Sequence, residues 1–548
     1  MSIPVTDTLE LRKARGAFFT PDVVARYVTE WAVRSCDDQV LEPSCGEAAF
    51  LVEAGHRLRA LGATGALASQ LHGAEIHASS AQVALGRVRR EGFDARVRVG
   101  DFLAEEPRQY YDAVIGNPPY VRYQDFTGEA RVTAKRAALR AGVTLTGLAS
   151  SWAAFTVHAA MHVRSGGRLG LVLPAEMLNV NYAAPIRSFL MREFARVRLV
   201  LFTERVFPGV MEDVVLLLAE GRGRGSARHC EVLQAHNGES LAGLTEIDVR
   251  RWTPPAHDRW SSALLDVDAA GPYSELLESD DVVMLEEWGD TTLGMVTGNN
   301  AYFALSTAQV LEHGLSAEDV VPVSPPGSRH LRNLSFSKTA LAAMSEAGER
   351  TWLFRPHEPS AAAQRYIALG EASEVHRAYK CRVRDPWWQV PFQRPADLLL
   401  TYMNADTPRL CANLAGVHHL NSVHGLYLRP GLRGMGRGLL ALASLNSVSL
   451  LGAELVGRSY GGGVLKLEPR EADRWPVPSP RLVDERAARL RQVRRRVRAL
   501  VVTGRVFDAS ELVDDALFGD RVSLSSWVAM RRGRARLHDR RVSRSKSR

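Results

Sequence analysis

Cysteine is scarce in this chain: Cys36, Cys45, Cys230, Cys381 and Cys411 are the only five in 548 residues. Their odd number and scattered spacing exclude a disulfide framework and a zinc pattern, and fit a reducing compartment. Long apolar runs are missing as well. No stretch of about 18 uncharged apolar residues occurs, so no membrane span is expected. The opening residues, 1–16, mix charges and lack an apolar centre, unlike a secretory signal, which makes a cytoplasmic location the expectation. No acidic or Cys/His cluster suggests a metal site. What the chain does have is core-forming material. Apolar residues make up 46% and charged residues 24%, the balance of a folded globular protein. The length suggests about three domains, or two large ones.

An excess of one charge is also largely missing. The net charge is +8, but residues 530–548 hold nine Lys or Arg against one Asp; taking these from 69 basic and 61 acidic residues leaves 60 of each. The basicity therefore belongs to a C-terminal tail. Such a tail suits either a solvated end or a polyanion contact, and net charge alone does not establish nucleic-acid binding.

From about 17 to 220, short apolar strands (Asp38-Gln39-Val40-Leu41, Tyr111 to Ile115, Arg168 to Leu173) alternate with helical stretches (Ala48 to Leu61, Ser151 to Val163). That alternation predicts an α/β domain over residues 1–225 with a parallel, doubly wound sheet. Ligands of such sheets bind beyond the carboxyl ends of the strands. The stretch Gly221 to Ser226 reads as a boundary. Residues 235–480 hold most of the tryptophans, several Pro turns and two Gly-rich segments, and predict a second, mixed α+β domain. Residues 481–548 read as Arg-rich and helical, with Arg489, Arg491, Arg494, Arg495, Arg496 and Arg498 crowded together.

The sharpest chemical signal is Asn117-Pro118-Pro119-Tyr120, directly after the strand ending at Ile115 and its hinge Gly116. Two prolines fix φ and remove two amide donors, so the loop is stiff and presents carbonyls. The Asn117 side chain and a prolyl carbonyl then both accept from one NH2 group. Tyr120 offers a flat face to a planar substrate.

With these residues in view the chain resembles the N6-adenine DNA methyltransferases of restriction–modification systems, in the gamma arrangement of motifs. Phe19-Thr20-Pro21 looks like the family's motif at the methionine end of S-adenosylmethionine. Leu41 to Phe50, containing Glu42, Ser44 and Gly46, looks like the first-strand loop. Glu75-Ile76 stands where the family binds the ribose hydroxyls, and a bidentate acceptor suits a diol. Gly100-Asp101-Phe102 looks like the adenine pocket of the cofactor, with Asp101 accepting and Phe102 packing. Val206-Phe207-Pro208 matches the aromatic that stacks on the target base, together with Tyr120. The chain departs from the pattern at Glu47, Ala48 and His77, where the family commonly has an acid or Asn, a Gly and an Asp.

The resemblance implies a Rossmann-like, doubly wound methyltransferase domain that uses S-adenosylmethionine, followed by a DNA target-recognition domain and a basic helical region. Asn117 and Pro118 would hold the amine of a flipped-out adenine; Pro119 and Tyr120 complete the catalytic loop, and Asn117 and Pro119 would also border the cofactor. Val296 to Asn300, Asn421 to Tyr427, Ser459 to Gly463, Lys466, Leu467 and Pro476 look like pieces of the recognition domain, or plain turn chemistry. Trp387 and Trp388 are expected to pack. Double-stranded DNA is the implied partner. The arginines at 489–498 and the tail would contact phosphates, or form a solvated face. A separate cognate restriction endonuclease and an orphan methylase both fit. So do a catalytically impaired DNA-reading subunit, an N4-cytosine enzyme, and an N-methyltransferase of RNA or protein, the last disfavoured by the large second half.

Overall fold

The computed structural model describes residues 20–121, 124–204, 206, 214–254 and 260–543. The chain divides into two compact units, Met1–Leu264 and Leu265–Arg548.

The first unit is built on a nine-stranded sheet. Its strands are β1 (Val40–Glu42), β2 (Leu71–Glu75), β3 (Arg96–Val99), β4 (Tyr111–Gly116), β5 (Val163–Pro174), β6 (Phe194–Phe202), β7 (Val214–Arg222), β8 (Cys230–Ala235) and β9 (Arg250–Trp252). Their order is β3-β2-β1-β4-β5-β7-β6-β8-β9. Strands β3 to β5 are parallel neighbours. Three of the helices are α1 (Asp22–Ala32), α2 (Ala49–Ala60) and α3 (Ala78–Arg90); α4 (Gly128–Leu139), α5 (Ser151–His162) and α6 (Ala184–Glu193) follow. Alternation along the strands feeds two cores. In β7, Val215, Leu217 and Ala219 face one, while Val214, Leu216 and Leu218 face the other. A sheet apolar on both faces is the pattern of a strand layer between helices.

Two features depart from the expected all-parallel sheet and its end at 225. Strand β7 runs antiparallel to both β5 and β6. Strands β6 and β7 follow one another in the chain and pair directly, and a short link between adjacent strands returns antiparallel. Strand β8 then pairs with β6 and carries β9, which extends the unit to Leu264.

In the second unit, β10 (Gly289–Leu293), β11 (Ser335–Phe336), β12 (Leu398–Thr401), β13 (Leu410–Asn413) and β14 (Val423–Leu428) form a five-stranded sheet in the order β10-β14-β12-β13-β11. Its helices include α7 (Val267–Glu278), α8 (Ala361–Ala372), α9 (Ser447–Val456), α10 (Ala487–Val502), α11 (Val506–Phe518) and α12 (Leu524–Ser543). Residues 481–543 are not a separate appendage. Leu482, Leu490, Val497, Leu517 and Met530 share one core with Leu398, Leu426 and Trp475. Within the described residues no single helix is long and apolar enough to cross a membrane.

Candidate active site

The sheet order reverses between β1 and β4: the chain steps outward from β1 to β3, then returns to β4. A doubly wound sheet opens its ligand crevice at that switch point, beyond the carboxyl ends. Glu42 to Gly46, Glu75 and Ile76, Asp101, and Asn117 to Tyr120 follow β1, β2, β3 and β4 respectively. Four loops far apart in sequence therefore meet on one edge.

Their hydrogen bonds tie them together. Glu75 accepts from the Gly46 amide through Oε2 and from the His77 amide through Oε1, both at 3.0 Å. Ser44 Oγ donates to the Asn117 carbonyl at 3.3 Å. At Gly46, φ is +48° and an added Cβ would meet nothing within 4 Å, so backbone lies open there. Ile76, beside Glu75, is 60% exposed, an apolar side chain at the strand end without cover. Asp101 uses Oδ1 to cap the short helical turn Phe102–Ala104 through the Leu103 amide at 2.9 Å. An uncovered apolar contact, open backbone and carboxylates at the ends of β2 and β3 fit an adenosine-bearing cofactor. Within the described residues no His, Cys, Asp and Glu group is arranged to hold a metal.

The loop after β4 is braced from several sides. Asn117 Nδ2 donates to Thr20 Oγ1 at 3.1 Å. Asn117 Oδ1 is buried and has no hydrogen-bond partner among the described residues. Ser151 Oγ donates to the Pro119 carbonyl and accepts from the Val121 amide at 2.8 Å. Tyr120 donates its hydroxyl to the Val172 carbonyl of β5 at 2.9 Å, and its ring packs between the two cores. Thr20 reaches the loop because α1 docks its apolar face, Val24, Ala25, Val28 and Ala32, on β4 and β5. Gly170 permits that approach: a Cβ there would stand 2.7 Å from Val28 Cγ1.

Three expected residues have other contacts. Glu42 accepts from the Leu51 amide at 3.0 Å at the start of α2, and burial pushes its carboxyl well above the usual carboxylate range. Phe102 is 3% exposed, enclosed by Phe155, His158 and His162; its ring belongs to the core beneath the loop. The Pro119 carbonyl is taken by Ser151, whereas Pro118's accepts no bond from the described residues. Phe207 and Phe19 lie outside the described residues. At the departures from the family pattern, Ala48 adopts φ 61°, the left-handed conformation that a Gly takes without strain. His77 is exposed and makes no side-chain cap for α3. Burial between Glu42 and Glu75 raises the Cys45 thiol above the ordinary range, so the loop offers no thiolate nucleophile.

Sequence reasoning missed Ser151 and the Thr20–Asn117 bond. It also missed Glu176, which accepts from Trp152 Nε1 at 2.6 Å and from the Tyr182 hydroxyl at 2.7 Å beside the α5 terminus. Their signal was only a Ser at a helix start and an acid after β5. In the second unit, Asn299 caps a short helix, and Trp387 packs near Tyr302 at 5.6 Å.

Residues 8–239 match the family of N-6 DNA methylases. Residues 257–518 match the C-terminal domain of the Type II methyltransferase M.Eco57I. The Type II methyltransferase M.XamI of Xanthomonas campestris pv. amaranthicola is 26% identical over 477 residues, covering 85% of each chain. M.AccI of Acinetobacter calcoaceticus, also a Type II methyltransferase, is 20% identical over 498 residues, covering 88% of each. The fold is similar to that of the Type IIL restriction–modification enzyme MmeI, solved in complex with DNA, with a TM-score of 0.51 at 12% identity, covering 94% of this chain and 74% of that one.

Proposed function

We infer, because the chain belongs to the Type II DNA methyltransferases of restriction–modification systems, that its reaction is methyl transfer to the exocyclic N6 of adenine in duplex DNA. S-adenosylmethionine, the donor implied by that membership, supplies a methyl group already activated on a sulfonium. Glu75 suits the ribose diol, Ile76 and the open backbone at Gly46 suit its adenosine, and Asp101 suits its amino group.

One observation carries the reading: the buried Asn117 Oδ1 on a proline-braced loop, without a partner among the described residues. An unmet buried acceptor costs roughly 1–3 kcal/mol, a cost recovered when a donor arrives. The amine of adenine is a poor nucleophile because its lone pair is delocalised into the ring. Two acceptors, Asn117 Oδ1 and the Pro118 carbonyl, draw its hydrogens out of conjugation and localise that lone pair. Catalysis is then orientation and electrostatics, with no covalent enzyme intermediate. The amine inside a duplex is out of reach, so the base is extruded; the resemblance assigns Tyr120 and Phe207 to stacking on it. The second unit reads base edges, and the mark shields host DNA in the cytoplasm from a separate cognate endonuclease.

Methylation-sensitive sequencing of DNA from a host expressing the chain is expected to show N6-methyladenine in one sequence context. Asn117→Ala is expected to lower methyl transfer by about 10²-fold or more, as loss of one transition-state hydrogen bond does, with duplex binding retained. N4-methylcytosine would replace the adenine assignment. Absence of both modification and S-adenosylmethionine binding in calorimetry would make the chain a DNA-reading subunit.

A further inference from the structure

The sequence places basicity in the C-terminal region, and the fold uses part of it internally. Arg481, Arg505, Arg521, Arg531, Arg536 and Arg541 each pair with a carboxylate. Arg494 donates to the Gly438 carbonyl at 2.8 Å. Helix α10 is different. It contains no Asp or Glu, and it buries Ala487, Leu490, Val497 and Val501. Arg489, Arg491, Arg495, Arg496 and Arg498 stand exposed on the rest of its surface, without an ion pair among the described residues. Arg491, Arg495 and Arg498 follow at four and three residues, which sets them on one ridge about 10 Å long. Arg489 and Arg496 line a second ridge, with Ala488, Gln492 and Ala499 between. Like charges at that spacing work against a helix, so the folded chain maintains repulsion that a polyanion would relieve.

We propose that the outward face of α10 is a phosphate-binding surface for the DNA backbone, distinct from the residues that read bases. This rests on the reading of the chain as a duplex-DNA methyltransferase. A duplex presents about one negative charge per 1.7 Å of axis, so one 10 Å ridge faces several phosphates. Guanidinium groups grip phosphate oxygens with two parallel hydrogen bonds, and phosphate contacts set position without carrying sequence information. Among the described residues Arg491, Arg495 and Arg498 are exposed and make no ion pair, so replacing them leaves the core intact.

The test is filter binding of the full chain to duplex DNA between 50 and 200 mM salt. For R491Q/R495Q/R498Q, the slope of log affinity against log salt should become less negative by about 0.9 for each arginine that meets a phosphate, while R491K/R495K/R498K keeps the wild-type slope. Sequencing should show the same methylated site for all three proteins. An unchanged slope in the Gln variant overturns the proposal, as does a shifted methylation site, which would mean base contacts. Wild-type binding to duplex RNA or to anionic phosphatidylserine vesicles more tightly than to duplex DNA, abolished by the same substitutions, also overturns it. Binding needs no turnover, so the outcomes separate: a DNA-binding chain that methylates cytosine removes the adenine reading and leaves this surface standing. An adenine methylase with an unaltered salt slope does the reverse.

Discussion

Asn117 has two chemically different ends, and the loop decides which is held by the fold and which is left open. Thr20 Oγ1 takes the Nδ2 end at 3.1 Å, which leaves Oδ1 buried and without a partner among the described residues. On the proposed function, Thr20 would act through Asn117 as a positioning residue. Thr20→Val keeps the shape and removes the acceptor, so the amide loses its fixed sense. Its single-turnover rate should fall about tenfold, the equivalent of roughly 1.4 kcal/mol, with S-adenosylmethionine affinity by calorimetry little changed. Thr20→Ser should restore the rate. In an Asn117→Ala background Thr20→Val should cost nothing more, the non-additivity expected of one coupled pair. A parallel loss of cofactor affinity would return Thr20 to the role that the resemblance gave it.

At the scale of elements, α12 shows how composition misleads. Its arginines read as a solvated or polyanion-seeking tail, but Arg541 and Glu454 of α9 form a bidentate pair with side chains 4% and 3% exposed. Removing one partner of such a pair leaves an uncompensated buried charge, so Arg541→Ala should cost about 3–5 kcal/mol in urea unfolding; a cost below about 1 kcal/mol would mean the pair is solvated. The partners stand 87 residues apart, a separation no local pattern reveals. The same physics sorts what the sequence made legible. Strands β1, β4 and β5 and helices α2 and α5 were visible because periodicity is local, and Asn117 to Tyr120 because its stiffness is local. The antiparallel β7, the second role of Glu42 as a cap, the burial of Phe102 under α5 and the Thr20–Asn117 bond depend on long-range packing. None of these has a signature within a few residues.

The whole molecule carries buried histidines in both units, and their protonation bears on stability. His158 and His162 lie beneath Phe102, with their Nε2 atoms 3.4 Å apart. Burial holds His158 down to about 4, and burial together with the neighbouring His158 holds His162 down to about 3. In the second unit burial holds His330 and His419 at about 4. An unfolded histidine takes a proton near 6.5, so below that pH the unfolded chain binds more protons than the folded one. Stability must then fall as pH drops, from about 6.5 until the folded groups titrate near 4 and 3. At one pH unit per 1.4 kcal/mol for each group, moving from pH 6.5 to 5 should cost roughly 2 kcal/mol per histidine, enough that two in one unit consume much of a typical 5–15 kcal/mol. Urea titrations at pH 7 and pH 5 should show this loss, and substituting His158 and His162 by Gln should flatten the pH dependence of the first unit whatever it does to absolute stability. A first unit equally stable at both pH values would mean that water reaches the pair. In that case the floor under Asp101 is not the dry core that the packing of Phe102 against Phe155 describes.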